Sequence, residues 1–455
     1  MFKPRFPDGR FLRPAILAIG LAATVLLARP APAQIADPDP SAVPEMTVEE
    51  AVSLAIEANE SVRIARAGVD RTEGRVREAF SRALPDVTGN YRMTRNLQRP
   101  VLFFDQEGET VQISIGDQQE HAFSLSVEQP IYDRSLGAAV TAARHGRAAS
   151  EASYRRTLSD VAFRARSAYY DALLAEALVG ARENALRLAE ERLRQVERFH
   201  EVGTASDFDL LTAQVGVENE RPPLIRARNR MALARNQLKR VVGVAIAAPV
   251  RLADSLAYAP VPVDLEAALE RAFRERDDLK AQREAVALQR ELVAVERAEG
   301  FPTLSLMLDL TRRASSADFV PEDRDFSQSA SAALMLRIPI FDGRRAEGRE
   351  LQARADRVAA TERLHALERD IRVQVQDAWQ SVRAAAEEVE ATRATAERAR
   401  EAYRIALVRF RQGLSTQLEL DEAEQDVFEA ESNAARALYS HMLAAARLEN
   451  TMGAR

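Results

Sequence analysis

The chain has 455 residues, with 63 basic against 69 acidic side chains, a formal net charge of −6, 6% aromatics and no cysteine. The charges are interspersed and form no basic tract, which argues against nucleic acid as a partner. The missing cysteine removes disulfides, thiol catalysis and N-terminal cysteine lipidation together, and the abundance of Ala, Leu, Arg and Glu is that of long solvated helices, not of a compact enzyme core.

The first element is an address. Lys3, Arg5, Arg10 and Arg13 precede an apolar run from Ala15 to Ala28, and "ARPAPA" then supplies small residues up to Ala33. This order predicts an export signal over 1–33, cleaved after Ala33 in an Ala-x-Ala context and too short for a stable membrane helix. A linker follows at 34–46. No later apolar stretch is long enough for a transmembrane helix, so entry into a bilayer would have to use strands.

From Thr47 the chain reads as two copies of one unit. "TVEEAVSLAIEANESVRIAR" at Thr47 and "DLEAALERAFRERDDLKAQR" at Asp264 are separated by 264 − 47 = 217 residues, as are Pro85 and Pro302. "QPIYD" with Pro130 recurs as "IPIFD" with Pro339. The offset is far beyond any solenoid period, and predicts a first repeat at 47–241, a connection at 242–263, a second repeat at 264–448 and a tail at 449–455. Each repeat opens with a helix and then switches to a period of two. Val87, Gly89, Tyr91 and Met93 alternate with polar residues, as do Phe123, Leu125 and Val127; the second copy does the same at Leu304 to Leu310 and Ala332 to Ile338. These are β-hairpins over 87–130 and 303–340, with Pro85, Pro130, Pro302 and Pro339 at the corners between strand and helix.

A long helical hairpin completes each unit. Leu158, Ala165, Ala172, Val179, Leu186 and Leu193 recur every seven residues, with a companion series from Val161 to Val196 that fails only at Arg182; Val375 to Phe410 and Ile371 to Ala406 repeat the pattern. This is coiled-coil spacing with small residues at one seam position, allowing close helix approach. The turns are "RFHEVGTASDFDLLTAQ" from Arg198 and "RFRQGLSTQLELDEAEQ" from Arg409, where Gly203 and Gly413 supply left-handed C-caps and Ser206 and Ser415 are placed to cap the returning helices. Pro222 and Pro223 predict a kink or break in the first returning helix only.

Four strands cannot close a barrel, and open edges are not tolerated in lipid, so the chain must borrow strands; two chains would just supply the eight or so strands of the smallest closed bacterial barrels, and three would give 3 × 4 = 12 around an open lumen. His121, His145, His200, His365 and His441 are scattered, and no metalloprotease, phosphate-loop or serine-elbow motif appears. No catalytic residue, cofactor or metal is expected, and a methionine-rich lumen signature for copper or silver export is missing.

The duplicated unit, the "QPIYD" and "IPIFD" corners and the two glycine turns together resemble the TolC family of outer-membrane efflux channels, over about Thr47 to Leu448. The resemblance implies a fold that is mainly α with membrane β: periplasmic coiled-coil hairpins forming an α-barrel, and four strands per chain in a trimeric twelve-stranded barrel. It implies a passive exit duct in the bacterial outer membrane with a long periplasmic extension, working with an inner-membrane pump and a periplasmic adaptor that meets the tips at Gly203, Thr204, Ser206, Gly413, Ser415 and Thr416. Without a cysteine the chain fits the non-lipidated branch, and Ser415 stands where some members carry an arginine that ties the aperture. Six and nine residues after the second tip glycine the family places acidic residues at that aperture; here these are Glu419 and Glu422, with Asp421 beside them, and Asp209 and Thr212 stand at the same distances in the first copy. From spacing alone these carboxylates read equally as a helix start favoured by the dipole. A type I protein-secretion channel is the alternative function, and a periplasmic coiled-coil adaptor or tether a further one.

Overall fold

The structure, a computed structural model, describes residues 45–99, 101–106, 109–114, 117–262, 264–316, 321–322 and 326–453. The export signal and all but the last two residues of the 34–46 linker therefore lie outside the described residues.

Two short helices open the described chain. Helix α1 (Val48–Ala58) is capped by Thr47 in a reciprocal box with Glu50, and α2 (Glu60–Ser81) by Asn59. Strand β1 (Glu45–Met46) runs parallel to the later β6 (Arg251–Leu252), and the buried Tyr169 hydroxyl donates to Met46 O at 2.7 Å, which fixes this start against the helices. Strands β2 (Asp86–Arg95) and β5 (Gln119–Tyr132) pair antiparallel; between them β3 (Val101–Gln106) and β4 (Glu109–Ser114) form a separate hairpin inside the span 87–130, which the sequence presents as one hairpin.

The helical hairpins dominate. Helix α3 (Arg134–Glu201) has 68 residues, on the order of 100 Å at helical rise, and returns as α4 (Asp207–Val242). Then α5 (Leu265–Glu275), capped by Asp264, and α6 (Asp277–Ala298) lead into β7 (Thr303–Ser316) and β8 (Phe326–Arg337), followed by α7 (Arg345–Arg411) and α8 (Gln417–Thr451). Helix α3 packs on α4 and α8, and α8 on α7, so the four long helices stand as a wall in the order α4, α3, α8, α7. The seven-residue series are its seams: Val161, Ala165, Ala168, Ala172, Val179, Ala189 and Val196 are buried on α3, and Ile371, Val375, Ala378, Val382, Ala385 and Val389 on α7.

The break expected at Pro222 and Pro223 is absent, because α4 continues as one helix through both. Proline removes amide donors but its fixed φ is helical. Helix α4 is held along α3 on both sides of the pair by Arg182–Glu220 at 3.3 Å, Arg228–Glu183 at 2.7 Å and Arg235–Glu176 at 3.0 Å.

The sheet order is β2-β5-β7-β8, antiparallel throughout, with β2 and β8 at open edges. Register sorts the side chains by face. Val87 lies opposite Val127, Gly89 opposite Leu125 and Tyr91 opposite Phe123; across the next pairs Val127 meets Leu308, Leu125 meets Leu310, and Leu306 meets Leu334. The other face carries Thr88, Asn90, Ser124, Ser126, Asp309, Thr311, Ser329 and Ser331 in register, with Ser126 Oγ donating to Asp309 Oδ1 at 2.7 Å. Yet Val87, Tyr91, Leu334 and Leu336 are 61%, 66%, 70% and 60% exposed, so no described part of this chain covers the apolar face. Among the described residues no helix is long and apolar enough to cross a membrane.

Candidate functional site

Both hairpin tips are built by glycine. Gly203 has φ +76° and Gly413 φ +73°, and nothing lies within 4 Å of where a Cβ would stand at either, so the requirement is conformational and not steric. Thr204 N donates to Phe199 O, and Leu414 N to Arg409 O, both at 2.8 Å, closing Schellman-type ends. Below the turns Val196, Ala213, Phe410 and Leu420 are buried together, with the rings of Phe199 and Phe410 at 5.7 Å and 61°, so the two tips are packed against one another.

The caps correct one expectation. Ser206 caps α4 as expected, but α8 is capped by Thr416, whose Oγ1 accepts from Glu419 N at 3.2 Å; Ser415 instead turns back to Ala406 O at 3.5 Å. Ser206 and Thr416 each stand three residues after their glycine, and the adjacent hydroxyls in "LST" hid that register.

The three proposed aperture carboxylates differ. Asp209 Oδ2 accepts from Ser206 N at 2.9 Å and from Ser206 Oγ at 2.7 Å. Those bonds hold it below the usual carboxylate range, so its charge serves the helix start. Glu419 and Glu422 are exposed, and no hydrogen bond or ion pair engages their carboxylates among the described residues. Asp421, between them in sequence, points the other way and pairs with Arg192.

Arg192 is a participant that sequence reasoning missed. It is 4% exposed on α3, pairs with both Asp421 and Glu424 of α8, and its Nη2 lies 2.6 Å from where a Cβ at Gly216 of α4 would stand. A mid-helix glycine facing an Asp421–Glu424 pair was the available signal. Burial pushes Glu424 up against the opposing pull of Arg192.

The corner prolines lie at the strand ends. Pro85 separates α2 from β2, Pro302 separates α6 from β7 and Pro339 separates β8 from α7, while Pro130 sits inside the end of β5 where the ladder to β7 is irregular between Pro130 and Tyr132. The histidines have local partners or packing. His121 Nδ1 meets the Tyr91 hydroxyl at 2.8 Å, His145 Nδ1 meets Glu284 at 2.7 Å and His200 Nε2 meets Asp207 at 2.8 Å. His441 is buried 4.6 Å from the Tyr258 ring, and His365 is 3.6 Å from Glu362.

Long hairpins with packed tips, below a sheet with one apolar face and two open edges, are the parts of a membrane duct. The sequence profile of the family described as outer membrane efflux protein matches residues 51–244 and 268–454. The chain belongs to the outer membrane efflux protein family. It is 26% identical over 352 residues to the alkaline protease secretion protein AprF of Pseudomonas aeruginosa, spanning 73% of this chain and 69% of that protein. It is 23% identical over 408 residues to the outer membrane efflux protein BepC of Brucella suis, spanning 90% and 85%. In fold it is similar to the CmeC outer membrane channel of Campylobacter jejuni, with a TM-score of 0.76 and 17% identity over 89% of this chain and 85% of that one. The VceC outer membrane protein of Vibrio cholerae gives 0.73 and 17% over 90% and 96%. The efflux family is one of outer-membrane exit channels in tripartite export systems, and its fold joins periplasmic helical hairpins to membrane strands.

Proposed function

We propose that three copies of this chain close into a passive exit duct. The observation that carries the reading is the sheet: four strands in one register present an apolar face that nothing among the described residues covers and leave two edges unpaired there. In lipid every edge must close, and 3 × 4 = 12 strands from three chains would do so around a water-filled lumen. The wall of helices argues the same way. Its outer members expose apolar stripes, with Phe208, Leu211, Val215 and Ile225 on α4 at 75%, 58%, 56% and 67%, and Leu351, Val358 and Val373 on α7 at 68%, 57% and 58%. Pairing α4 of one copy with α7 of the next covers both and continues the wall into an α-barrel.

In this reading the chain is exported by the 1–33 signal, begins near Gln34 and is not lipidated. The repeats at 47–241 and 264–448 each supply two strands and one hairpin, joined at 242–263. Asp209, Glu419 and Glu422 become rings of three at the periplasmic mouth, and the tips at Gly203, Thr204, Ser206, Gly413, Ser415 and Thr416 meet a periplasmic adaptor, through which an inner-membrane pump drives transport. The duct performs no chemistry of its own. Similarity to AprF favours protein secretion as a second reading beside small-molecule efflux, since that relative is named for alkaline protease secretion. Native mass spectrometry of the detergent-extracted outer-membrane protein tests the assembly. A mass of three mature chains is expected, and a monomer that retains its strand content refutes it.

A further inference from the structure

Between α4 and α8, over α3, runs a trough of 370 Å³ near the middle of the helical wall. Three guanidinium groups line its two side walls: Arg226 and Arg230 on α4 and Arg436 on α8. The other arginines along this part of α4 have carboxylate partners, with Arg221 paired to Glu218, Arg228 to Glu183 and Arg235 to Glu176. No ion pair reaches Arg226, Arg230 or Arg436 among the described residues, and Arg436 only touches Asn433 Oδ1 at 3.2 Å. Two further charged groups face the trough. Arg182 pairs with Glu220 and lies 3.6 Å over the Phe428 ring, and Asp171 accepts the Tyr439 hydroxyl at 2.6 Å. The floor is apolar, formed by Leu174, Leu178, Pro223 and Ala227.

The trough also has a defined orientation. Arg436 follows Glu422 on α8 by 436 − 422 = 14 residues, about four turns, so both stand on one helix face. If Glu422 lines the mouth, the arginines face the lumen about 20 Å further in.

We infer that this trough is a binding site for amphipathic organic anions travelling through the duct, their carboxylate, sulfonate or phosphate group held by Arg226, Arg230 and Arg436 and their apolar body lying on Leu174, Leu178 and Pro223. The inference rests on the reading of the chain as a trimeric duct, in which the site occurs three times as a basic belt inside an acidic mouth. Arginine suits the task because its fork donates two bonds to one planar or tetrahedral anion, and the apolar floor distinguishes an organic anion from an inorganic one.

The test is current through the purified protein in a planar bilayer, with 1-naphthalenesulfonate added on the periplasmic side and sodium sulfate in a parallel series. Wild type should show resolved blocking events with naphthalenesulfonate and far briefer ones with sulfate. The double variant R226Q/R230Q should shorten the blocked time about tenfold, as expected for losing charge-assisted bonds, and R436Q should shorten it as well. Open-channel conductance in each variant reports that the channel has assembled. Wild-type channels that conduct but are never blocked, or are blocked equally in all variants, overturn the site; equal block by sulfate overturns the role of the apolar floor. A wild-type protein that does not conduct refutes the duct itself, a separate outcome.

Discussion

Arg192 and Glu424 meet at 2.9 Å inside the junction of α3 and α8, with the two side chains only 5% and 10% exposed. One belongs to the first helical hairpin and the other to the second, so this pair, reinforced by Asp421, is the polar tie between the two hairpins just above their apolar tips. Removing one partner strands the other in a buried site, and Arg192→Ala should destabilise this junction by about 3–5 kcal/mol, where an exposed pair would cost under about 1. Hydrogen exchange across 185–200 and 417–430 checks it, with faster exchange confined to those segments.

The same pair sets a pH dependence. Burial raises Glu424 above its ordinary 4.5, so the folded protein holds that proton more tightly than the unfolded chain. The contribution is fully present below the ordinary value and is lost as pH rises through the raised one. Melting temperature followed upward from about pH 4 should therefore show a component that falls with pH in wild type and is flat in Glu424→Gln. An equal fall in both proteins assigns the dependence elsewhere.

The caps predict a contrast between neighbouring hydroxyls. Ser206→Ala and Thr416→Ala should each cost about 1 kcal/mol at the start of the returning helix, whereas Ser415→Ala should cost much less, because Ser415 caps nothing. Amide exchange of the first turns of α4 and α8 separates the three variants.

Gly243 gives a sharper case. It ends α4 at φ +79°, and a Cβ there would fall 2.3 Å from the Ala58 Cβ of α1. Gly243→Ala combines backbone strain of about 1–2 kcal/mol with a clash between two packed helices, so a clear drop in melting temperature is expected. The equivalent change at Gly203, where space is open, carries only the strain.

Much of this architecture was legible in period alone. The seven-residue series marked the buried seams of α3 and α7, and the alternation from Val87 to Val127 and from Leu304 to Leu336 marked the faces of the sheet, because both follow from which side chains must leave water. Thr47 and Asp264, which the 217-residue offset brought together, are the N-caps of α1 and α5. What escaped depended on partners distant in sequence. Arg192 looks like any solvated arginine until Gly216 and Glu424 are folded around it, and Arg182 broke its heptad because it lies on Phe428. Pro222 and Pro223 do not break α4, which is held along α3 on both sides of them, and the Thr416 cap was missed by one residue where two hydroxyls adjoin.

The most direct measurement of the central claim is ion conduction by the purified protein in a planar bilayer, with reversal potentials taken in a salt gradient. The account predicts steady channels in wild type with a preference for cations, and a marked loss of that preference in E419Q/E422Q while conduction persists. Absence of channels from correctly extracted protein, or a cation preference unchanged in the double variant, would contradict a trimeric duct whose mouth is ringed by Glu419 and Glu422.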